Sequence, residues 1–257
     1  MGLEFYKYQA TGNDFVIIDD RKNDFDVSDY QLVNRLCDRK FGVGADGLML
    51  LRSHKEYDFE MVYFNADGHE GSMCGNGGRA LVKFAQDLGV IQDSCKFIAV
   101  DGEHDAFIED GLVHLHMIDV ANYKEASGYY FMDTGSPHHV EFIEGTLSDF
   151  DVYTKGKEVR ESDLYAPNGT NVNFVEKLSS NKIRVRTFER GVEDETLSCG
   201  TGVTACALSS FLAYGAVSPL NIQVEGGELS VSFENDGGEF KEIFLIGPAA
   251  QVFTGVI

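Results

Sequence analysis

Two stretches of the chain carry apolar residues at the spacing of an α-helix, and each begins after a Cys-Gly-x-Gly sequence. The first follows Cys74 and ends at Gly89, and the second follows Cys199 and ends at Gly215. Apolar residues three and four positions apart form one helix face, and a glycine after the last of them is a common left-handed stop. The second stretch has no charged residue between positions 203 and 216, so its helix is expected to be surrounded by protein.

The residues that lead to each cysteine instead alternate between apolar and polar. Ile183, Val185 and Thr187 alternate with basic residues before the second cysteine, and the segment 58–64 occupies the same place before the first. Such alternation is typical of a strand with one buried face. Further short strands are separated by Gly, Asn and Asp turns. The pattern predicts an α/β (α+β) protein in which each half is a curled, mostly antiparallel sheet or barrel around one central helix.

Four landmarks occur twice in the same order, which indicates two homologous halves. Cys74-Gly75-Asn76-Gly77 recurs 125 residues later as Cys199-Gly200-Thr201-Gly202. Thr-Gly pairs at 11 and 134, the strands before the cysteines, and the acidic Gly turns at 100–103 and 224–228 are also paired. We therefore predict two pseudo-symmetric domains, 1–119 carrying the first cysteine and 120–247 carrying the second.

Charge and cysteine usage exclude several classes of partner. The 257 residues include 42 acidic and 21 basic side chains, for a formal net charge of −21. That balance repels nucleic-acid backbones and acidic membrane surfaces, so neither is an expected partner. The five cysteines form no Cys-x-x-Cys pair, and the first ten residues contain Glu4 and Lys7 and no apolar core. These features predict a cytoplasmic protein without a signal peptide and with free thiols.

A cysteine just before a helix is placed for acid–base chemistry. The first N–H groups of a helix lack intrahelical partners and carry partial positive charge, which favours a thiolate. For one isolated Cys-Gly-x-Gly, a small buried residue at a tight turn is the commoner explanation. Two copies instead favour a catalytic explanation, because equivalent residues of homologous halves can face each other across a cleft. One thiolate then removes a proton from a carbon and the opposed thiol protonates the other face, as in a racemase or epimerase.

The protein itself must stabilise the carbanion in such a reaction. We identify no pyridoxal-phosphate lysine and expect no cofactor. Backbone N–H groups at the two helix ends are expected to hold a substrate carboxylate. No metal is expected either, because His114 and His116 lie on a predicted strand with no third ligand at a useful spacing.

Several distinctive motifs lie along the chain, at 64–68, 73–79, 189–191 and 195–202, with further ones at 12–15, 42–47 and 170–174. Taken together, they resemble the diaminopimelate epimerase family. The likeness covers essentially the whole chain. It implies a cofactor-independent epimerase that interconverts LL- and meso-2,6-diaminopimelate in lysine and peptidoglycan precursor synthesis. It also implies that a last strand at about 248–257 returns to the first domain, and that the chain forms a homodimer.

The resemblance implies roles for individual residues. The family's catalytic cysteines correspond to Cys74 and Cys199, and its residues that help set thiol protonation correspond to His138 and Glu189. Its substrate-binding positions correspond to Asn13, Asn65, Gly75, Asn76, Asn171, Glu189, Arg190, Gly200 and Thr201. Ser136 stands where the family usually has an asparagine, and Gly47 where some members have a glutamine, so those substrate contacts are not expected.

Two alternatives remain open at this point. Proline and hydroxyproline racemases share the two-cysteine arrangement, although they usually carry histidine where this chain has Asn76 and lack the Glu189-Arg190 pair. A thiol–disulfide redox protein that cycles Cys74 and Cys199 is a different class. Incubation in deuterated water distinguishes the first alternative, because a proline racemase would exchange the α-hydrogen of proline and not that of diaminopimelate. The second alternative predicts that function is retained while the two cysteines cycle between oxidised and reduced forms.

Overall fold

The computed structural model describes residues 2–257 as two compact units. The first unit comprises residues 2–115 and Gly247–Ile257, and the second comprises His116–Ile246. The C-terminal segment therefore belongs to the first unit.

Seventeen strands and four helices make up the described part of the chain. The first elements are β1 (Glu4–Ala10), β2 (Asn13–Asp19), α1 (Tyr30–Cys37), β3 (Gly47–Arg52), β4 (Phe59–Asn65), α2 (Gly75–Asp87), β5 (Ser94–Ala99), β6 (Gly102–Glu109) and β7 (Leu112–His116). They are followed by β8 (Tyr123–Ala126), β9 (Tyr129–Asp133), β10 (Pro137–Phe142), α3 (Val152–Arg160), β11 (Asn171–Lys177), β12 (Lys182–Glu189), β13 (Asp194–Thr196), α4 (Gly200–Tyr214), β14 (Leu220–Val224), β15 (Gly227–Asp236), β16 (Glu239–Gly247) and β17 (Ala250–Val256).

The strands of the two units pair in the same order of directions. In the first unit β1–β2 is antiparallel, β2–β3 parallel, β3–β4 antiparallel, β4–β5 parallel, and β5–β6 and β6–β7 antiparallel. The second unit repeats this order for β9–β10, β10–β11, β11–β12, β12–β14, β14–β15 and β15–β16. The repeated sequence landmarks thus belong to repeated structure. The fold is mixed α/β with mostly antiparallel strands, as predicted.

Each unit packs its strands against one long helix. In the first unit α2 contacts β1, β2, β3 and β17, and in the second α4 contacts β9 to β12, β14 and β15. The prediction that α4 is buried is confirmed up to Ser210, and its last turn is partly exposed. Gly89 and Gly215 after the two helices have φ of 69° and 70°, the predicted left-handed stops. With fifteen residues, α4 is the longest helix within residues 2–257. No helix in this range is both long and apolar enough to span a membrane.

Each unit also has a shorter helix that the sequence pattern did not predict. The helices α1 and α3 connect the parallel strand pairs β2–β3 and β10–β11, a connection that needs a crossover segment. Asp29 and Asp151 cap them by accepting the N–H of Leu32 at 2.9 Å and of Thr154 at 3.0 Å. At eight and nine residues they are too short for a strong helical period.

Candidate active site

Cys74 is the N-cap residue of α2. Its backbone is extended, and its Sγ accepts the N–H of Gly77 at 3.2 Å. The side chain is partly exposed, whereas Gly75 and Asn76 after it are buried. An N-cap atom that accepts this N–H lies at the positive end of the helix, where a negative charge is stabilised. The local geometry therefore favours a thiolate at Cys74.

Two asparagine amides beside Cys74 are held in fixed orientations. Asn13 Nδ2 donates to Asp46 Oδ2 at 2.7 Å, so its Oδ1 faces the other way, toward Asn76 and Cys74. That oxygen accepts from Asn76 Nδ2 at 3.3 Å and from the Cys74 thiol at 3.7 Å. Asn76 Oδ1 in turn accepts from Arg79 Nη2 at 3.0 Å. Three of the expected site residues of the first unit, Asn13, Cys74 and Asn76, are thus in one hydrogen-bonded group.

Cys199 occupies the equivalent N-cap position of α4 in the second unit. Its backbone is also extended, but its sulfur accepts no capping hydrogen bond from α4. Instead, Sγ lies 3.6 Å from Thr201 Oγ1, and the residue is 7% exposed. The two cysteines therefore share a position in the repeat but differ in the groups that contact them.

Asn173 fixes which nitrogen of His138 carries the proton. Asn173 Nδ2 lies 2.9 Å from the carbonyl oxygen of His139 and 3.1 Å from His138 Nδ1. A carbonyl oxygen only accepts, so this atom is the amide nitrogen, and it donates to His138 Nδ1. In the neutral imidazole the hydrogen is then on Nε2, which lies 2.8 Å from Thr201 Oγ1.

The imidazole of His138 is neutral at neutral pH. Burial, and to a smaller extent the charge of Arg190, lowers the pKa of His138 to about 3, against the opposing hydrogen bond of Asn173. A neutral Nε2–H donates to the Thr201 hydroxyl, and that hydroxyl lies next to Cys199. In this arrangement His138 is a hydrogen-bond donor rather than a base.

Ser136, where the family usually has asparagine, completes the group around Thr201. Its Oγ lies 3.0 Å from His138 Nε2 and 3.1 Å from Thr201 Oγ1, and it accepts from Asn171 Nδ2 at 3.1 Å. The shorter side chain therefore joins the hydroxyl network of the second unit. At Gly47, a Cβ would lie 2.5 Å from the ring of Tyr63, so the backbone there leaves no room for a side chain in the present packing.

The remaining predicted residues are held at strand ends. Asn171 at the start of β11 accepts the N–H of Arg190 at 2.8 Å, so the end of β12 is tied to β11. Glu189 Oε2 accepts from the Thr196 hydroxyl at 3.0 Å. Asn65, the last residue of β4, is exposed, and its backbone N–H donates to His69 at 2.9 Å.

Sequence reasoning assigned no role to three residues of these networks: Arg79, Ser136 and Asn173. Arg79 could have been noticed in the sequence, because it is the first charged residue after Cys74 and the next one is Lys83. Asn173 was detectable as a polar residue between the buried Val172 and Phe174 of β11.

The other three cysteines differ from Cys74 and Cys199 in position, because none of them is the N-cap residue of a helix, whereas burial is shared with Cys199. Cys37, Cys95 and Cys206 are buried, and all five cysteines are free thiols. Burial raises the pKa of Cys37 and of Cys95 to about 12, and raises that of Cys206 well above its usual value. Among residues 2–257, no group of three or more His, Cys, Asp or Glu side chains is placed to hold a metal ion.

Comparison with known proteins gives the same family over most of the chain. The family model for diaminopimelate epimerase matches residues 5–110 and 130–252. The diaminopimelate epimerase of Flavobacterium psychrophilum is 49% identical over 99% of this chain and 100% of its own length. That of Chlorobaculum tepidum is 42% identical over 96% of this chain and 98% of its own length.

Solved structures with the same fold are more distant in sequence. A phenazine biosynthesis protein of the PhzF family from Bacillus anthracis superposes with a TM-score of 0.77 at 13% identity, over 100% of this chain and 99% of its own. A hydroxyproline epimerase from Agrobacterium vitis gives a TM-score of 0.68 at 13% identity, over 99% of this chain and 92% of its own. At such identities the likeness is one of fold alone, whereas the close relatives and the family model agree on one family. The chain belongs to the diaminopimelate epimerase family.

Proposed function

We propose that this protein interconverts LL- and meso-2,6-diaminopimelate without a cofactor, with Cys74 and Cys199 as the two acid–base groups. The observation that carries the proposal is the position of the two thiols. Each is the N-cap residue of the long helix of its unit, in a chain that the family model matches in both halves. An N-cap position gives both sulfurs a helix end that stabilises negative charge.

The reaction needs one thiolate and one thiol at the start of each turnover. The thiolate takes the α-hydrogen of the substrate as a proton, and the electron pair stays on the α-carbon and its carboxylate. The thiol then donates its proton to the opposite face of that carbon, which inverts the centre. The two sulfurs finish with exchanged protonation states, and proton exchange with solvent or reaction in the reverse direction restores them.

Backbone N–H groups are proposed to hold the carboxylate at the reacting end. The first turns of α2 and α4 offer those of Gly75, Asn76, Gly200 and Thr201, and glycines at both starts keep the approach free of side chains. Such donors stabilise the negative charge that develops as the proton leaves.

The far end of the substrate carries a second carboxylate and a second amine. Arg190 offers a planar guanidinium for that carboxylate, and the amides of Asn65 and Asn171 suit either group. A shorter amino acid would leave these polar groups without partners, which accounts for selection against it.

His138 and Glu189 are proposed to control the thiols rather than to contact the reacting carbon. The neutral His138 donates to the Thr201 hydroxyl, so that hydroxyl is free to donate to the Cys199 thiolate. Glu189 supplies a carboxylate beside Thr196 at the start of the segment that leads to Cys199.

A homodimer in the cytoplasm is part of the same proposal. Five free cysteines suit a reducing compartment. The last strand, β17, pairs with β1 and exposes apolar side chains, among them Val252 and Val256, which are 57% and 70% exposed. A second copy of the chain would cover them.

Solvent deuterium exchange tests the proposed reaction. The purified protein is incubated in deuterated water with LL-diaminopimelate, meso-diaminopimelate or proline. We expect deuterium at the α-carbon of diaminopimelate together with inversion, and none in proline. Exchange in proline alone would establish the racemase alternative. A function that is retained while Cys74 and Cys199 cycle between their oxidised and reduced forms would favour the redox alternative. The proposed epimerisation predicts instead that oxidation of these thiols only inactivates the protein.

Single-thiol variants test the mechanism. Cys74→Ala and Cys199→Ala should each abolish epimerisation, because the remaining thiol can protonate only the face from which it removed the proton. Each can still exchange the α-hydrogen of one isomer without inversion. Cys206→Ala, seven residues after Cys199 in the same helix, is the matched control and should retain epimerisation. Normal turnover by either active-site variant would disprove the paired-thiol mechanism.

A further inference from the structure

Arg79 is a fully buried arginine without a carboxylate partner. It lies in the second turn of α2 and is 0% exposed. None of the acidic side chains within residues 2–257 forms a salt bridge with it, whereas most other arginines have such a partner. An isolated buried charge is costly unless an opposite charge lies near it.

The hydrogen bonds of Arg79 go to neutral oxygens only. Nη2 donates to Thr11 Oγ1 at 3.1 Å and to Asn76 Oδ1 at 3.0 Å, and Nη1 donates to the Gly75 carbonyl at 3.3 Å. Its Nε has no hydrogen-bond partner. These bonds direct the guanidinium toward the first turn of α2, the turn that Cys74 caps. They orient the charge but do not neutralise it.

Cys74 is the ionisable group that acts on this charge. Burial lowers the pKa of Arg79 to about 10, and interaction with Cys74 opposes that lowering. The guanidinium therefore remains a cation at neutral pH, and an anion at Cys74 would be its counter-charge.

The second unit has no cation at the equivalent place. The offset between the two Cys-Gly-x-Gly sequences aligns Arg79 with Thr204 of α4. Thr204 is also fully buried, and its hydroxyl donates to the Gly200 carbonyl at 2.9 Å. Arg79 Nη1 donates to the Gly75 carbonyl in the same relation, four residues back. The repeat thus keeps the hydrogen bond in both helices and the positive charge in only one.

We propose that Arg79 is a positioning residue whose buried charge makes Cys74 the thiolate of the resting enzyme, while Cys199, with Thr204 in its helix, rests as the thiol. This assignment rests on the proposed function, because it divides the two acid–base roles between the thiols. The isomer whose α-hydrogen faces Cys74 then reacts directly with the resting form. The other isomer requires the proton to move from Cys199 to Cys74 first.

Other groups near α2 act on Cys74 less directly. Asn13 Oδ1 opposes ionisation, because it accepts from the thiol, whereas the Gly77 N–H favours it. Most charged groups on or beside the packed elements are paired: Lys7 with Asp14, Asp19 with Arg21, Arg39 with Asp14 and Asp46, Arg52 with Asp20, and Lys83 with Asp87. The neutral Tyr8 hydroxyl donates to Asp87, and Glu4 at the start of β1 is exposed to solvent. The one unpaired charge of α2 is that of Arg79.

The test measures the ionisation of each thiol in the whole protein without substrate. Iodoacetamide alkylation is followed at each cysteine by mass spectrometry from pH 5 to about 10, within the titration range of perturbed thiols. The midpoint of each profile gives the thiol pKa and, unlike the limiting rate, does not depend on accessibility. In the wild type we expect the midpoint of Cys74 about one pH unit or more below that of Cys199.

Arg79→Gln removes the charge and keeps polar atoms for Thr11 and Asn76. We expect it to raise the Cys74 midpoint by about one unit or more, which lowers alkylation at neutral pH about tenfold. Arg79→Lys should restore most of the low midpoint, since it keeps the charge. Thr204→Val is the matched control in the other helix and should leave the Cys74 midpoint unchanged.

Two results would overturn the proposal. One is a wild-type Cys74 midpoint equal to or above that of Cys199, which needs no variant and decides the matter even if Arg79→Gln fails to fold. The other is a folded Arg79→Gln with the wild-type profile, which would assign Arg79 a purely structural role. Alkylation requires no turnover, so these results are independent of the epimerase assay. Failure of that assay alone would reject the proposed function and leave the ionisation result standing.

Discussion

The substitution Gly202→Ala tests how closely α4 is fitted to the His138 network. A Cβ at Gly202 would lie 2.5 Å from Asn173 Oδ1 and 3.3 Å from Cys199 Sγ. Asn173 cannot easily give way, because it is buried and its Oδ1 also accepts from Thr187 at 2.9 Å. The added methyl group must therefore displace either the start of α4 or the amide that sets the His138 tautomer.

The repeat provides a matched control at Gly77. A Cβ there would lie 3.3 Å from Met49 Sδ and 3.6 Å from Cys74 Sγ. The thioether is the flexible part of a methionine, so it can shift by a few tenths of an ångström at little cost. The same change, at the same position of the same motif, thus meets a rigid amide in one unit and a flexible side chain in the other.

The expected magnitudes differ accordingly. Replacing glycine by alanine inside a helix stabilises it by up to about 1 kcal/mol. Overpacking costs about 1–3 kcal/mol, and each buried hydrogen bond lost at Asn173 costs about 1 kcal/mol more. We expect Gly202→Ala to lower the free energy of unfolding by about 1–4 kcal/mol net, and Gly77→Ala to change it by at most about 1 kcal/mol in either direction.

Urea unfolding followed by circular dichroism measures these differences, since the chain has no tryptophan for fluorescence. Epimerisation rates are measured on the same samples. Gly202→Ala should also lose turnover, because a displaced Asn173 no longer holds Nε2–H of His138 toward Thr201. If Gly202→Ala proves as stable and as active as Gly77→Ala, the rigid role given to Asn173 is wrong.

Three further predictions follow from burial and exposure. The pKa of His138 is lower in the folded chain than in the unfolded chain, so the unfolded chain binds more protons below about pH 6.5. The free energy of unfolding therefore decreases by up to about 1.4 kcal/mol for each pH unit as the pH falls. The gap in unfolding free energy between wild type and His138→Gln should therefore shrink between pH 7 and pH 5 in urea titrations, and a constant gap would contradict the neutral buried imidazole. Iodoacetamide at neutral pH should label the partly exposed Cys74 before Cys37 and Cys95, whose burial raises their pKa and keeps them protonated; equal labelling in peptide mass spectra would show that burial does not protect these two thiols. Sedimentation equilibrium should give a dimer for the wild type and a monomer for Val252→Lys on the exposed face of β17, and a monomeric wild type would rule out the homodimer.

The sequence was most informative where structure is local. The helix starts after Cys74 and Cys199, the glycine stops and the strands before the cysteines depend on residues within a few positions of each other, and the structure contains all of them. The internal repeat predicts two similar halves, and in the structure the order of parallel and antiparallel strand pairs occurs twice. Local patterns and internal similarity were sufficient for these features.

The hydrogen-bond networks needed the tertiary structure. Asn173 meets His138 because β10 and β11 are parallel neighbours, and Ser136 meets Thr201 across 65 positions of the chain. Nothing in the spacing of these residues predicts that contact. The charge of Arg79 is visible in the sequence, but its isolation from carboxylates depends on every element packed around α2.

The lack of charged residues in α4 has a consequence for the position of Cys199. An amphipathic helix is oriented by its solvent-exposed polar face, but α4 is exposed only in its last turn, and the hydroxyls of Thr204 and Ser210 donate back to carbonyls of the helix itself. Its angle about its own axis must then be set by the shapes around it, such as the ring of Phe211 against Phe233 and Phe240. A change of side-chain volume near Phe211 would therefore rotate α4 and move Sγ of Cys199, so the position of this thiol is coupled to core packing at the opposite end of the helix.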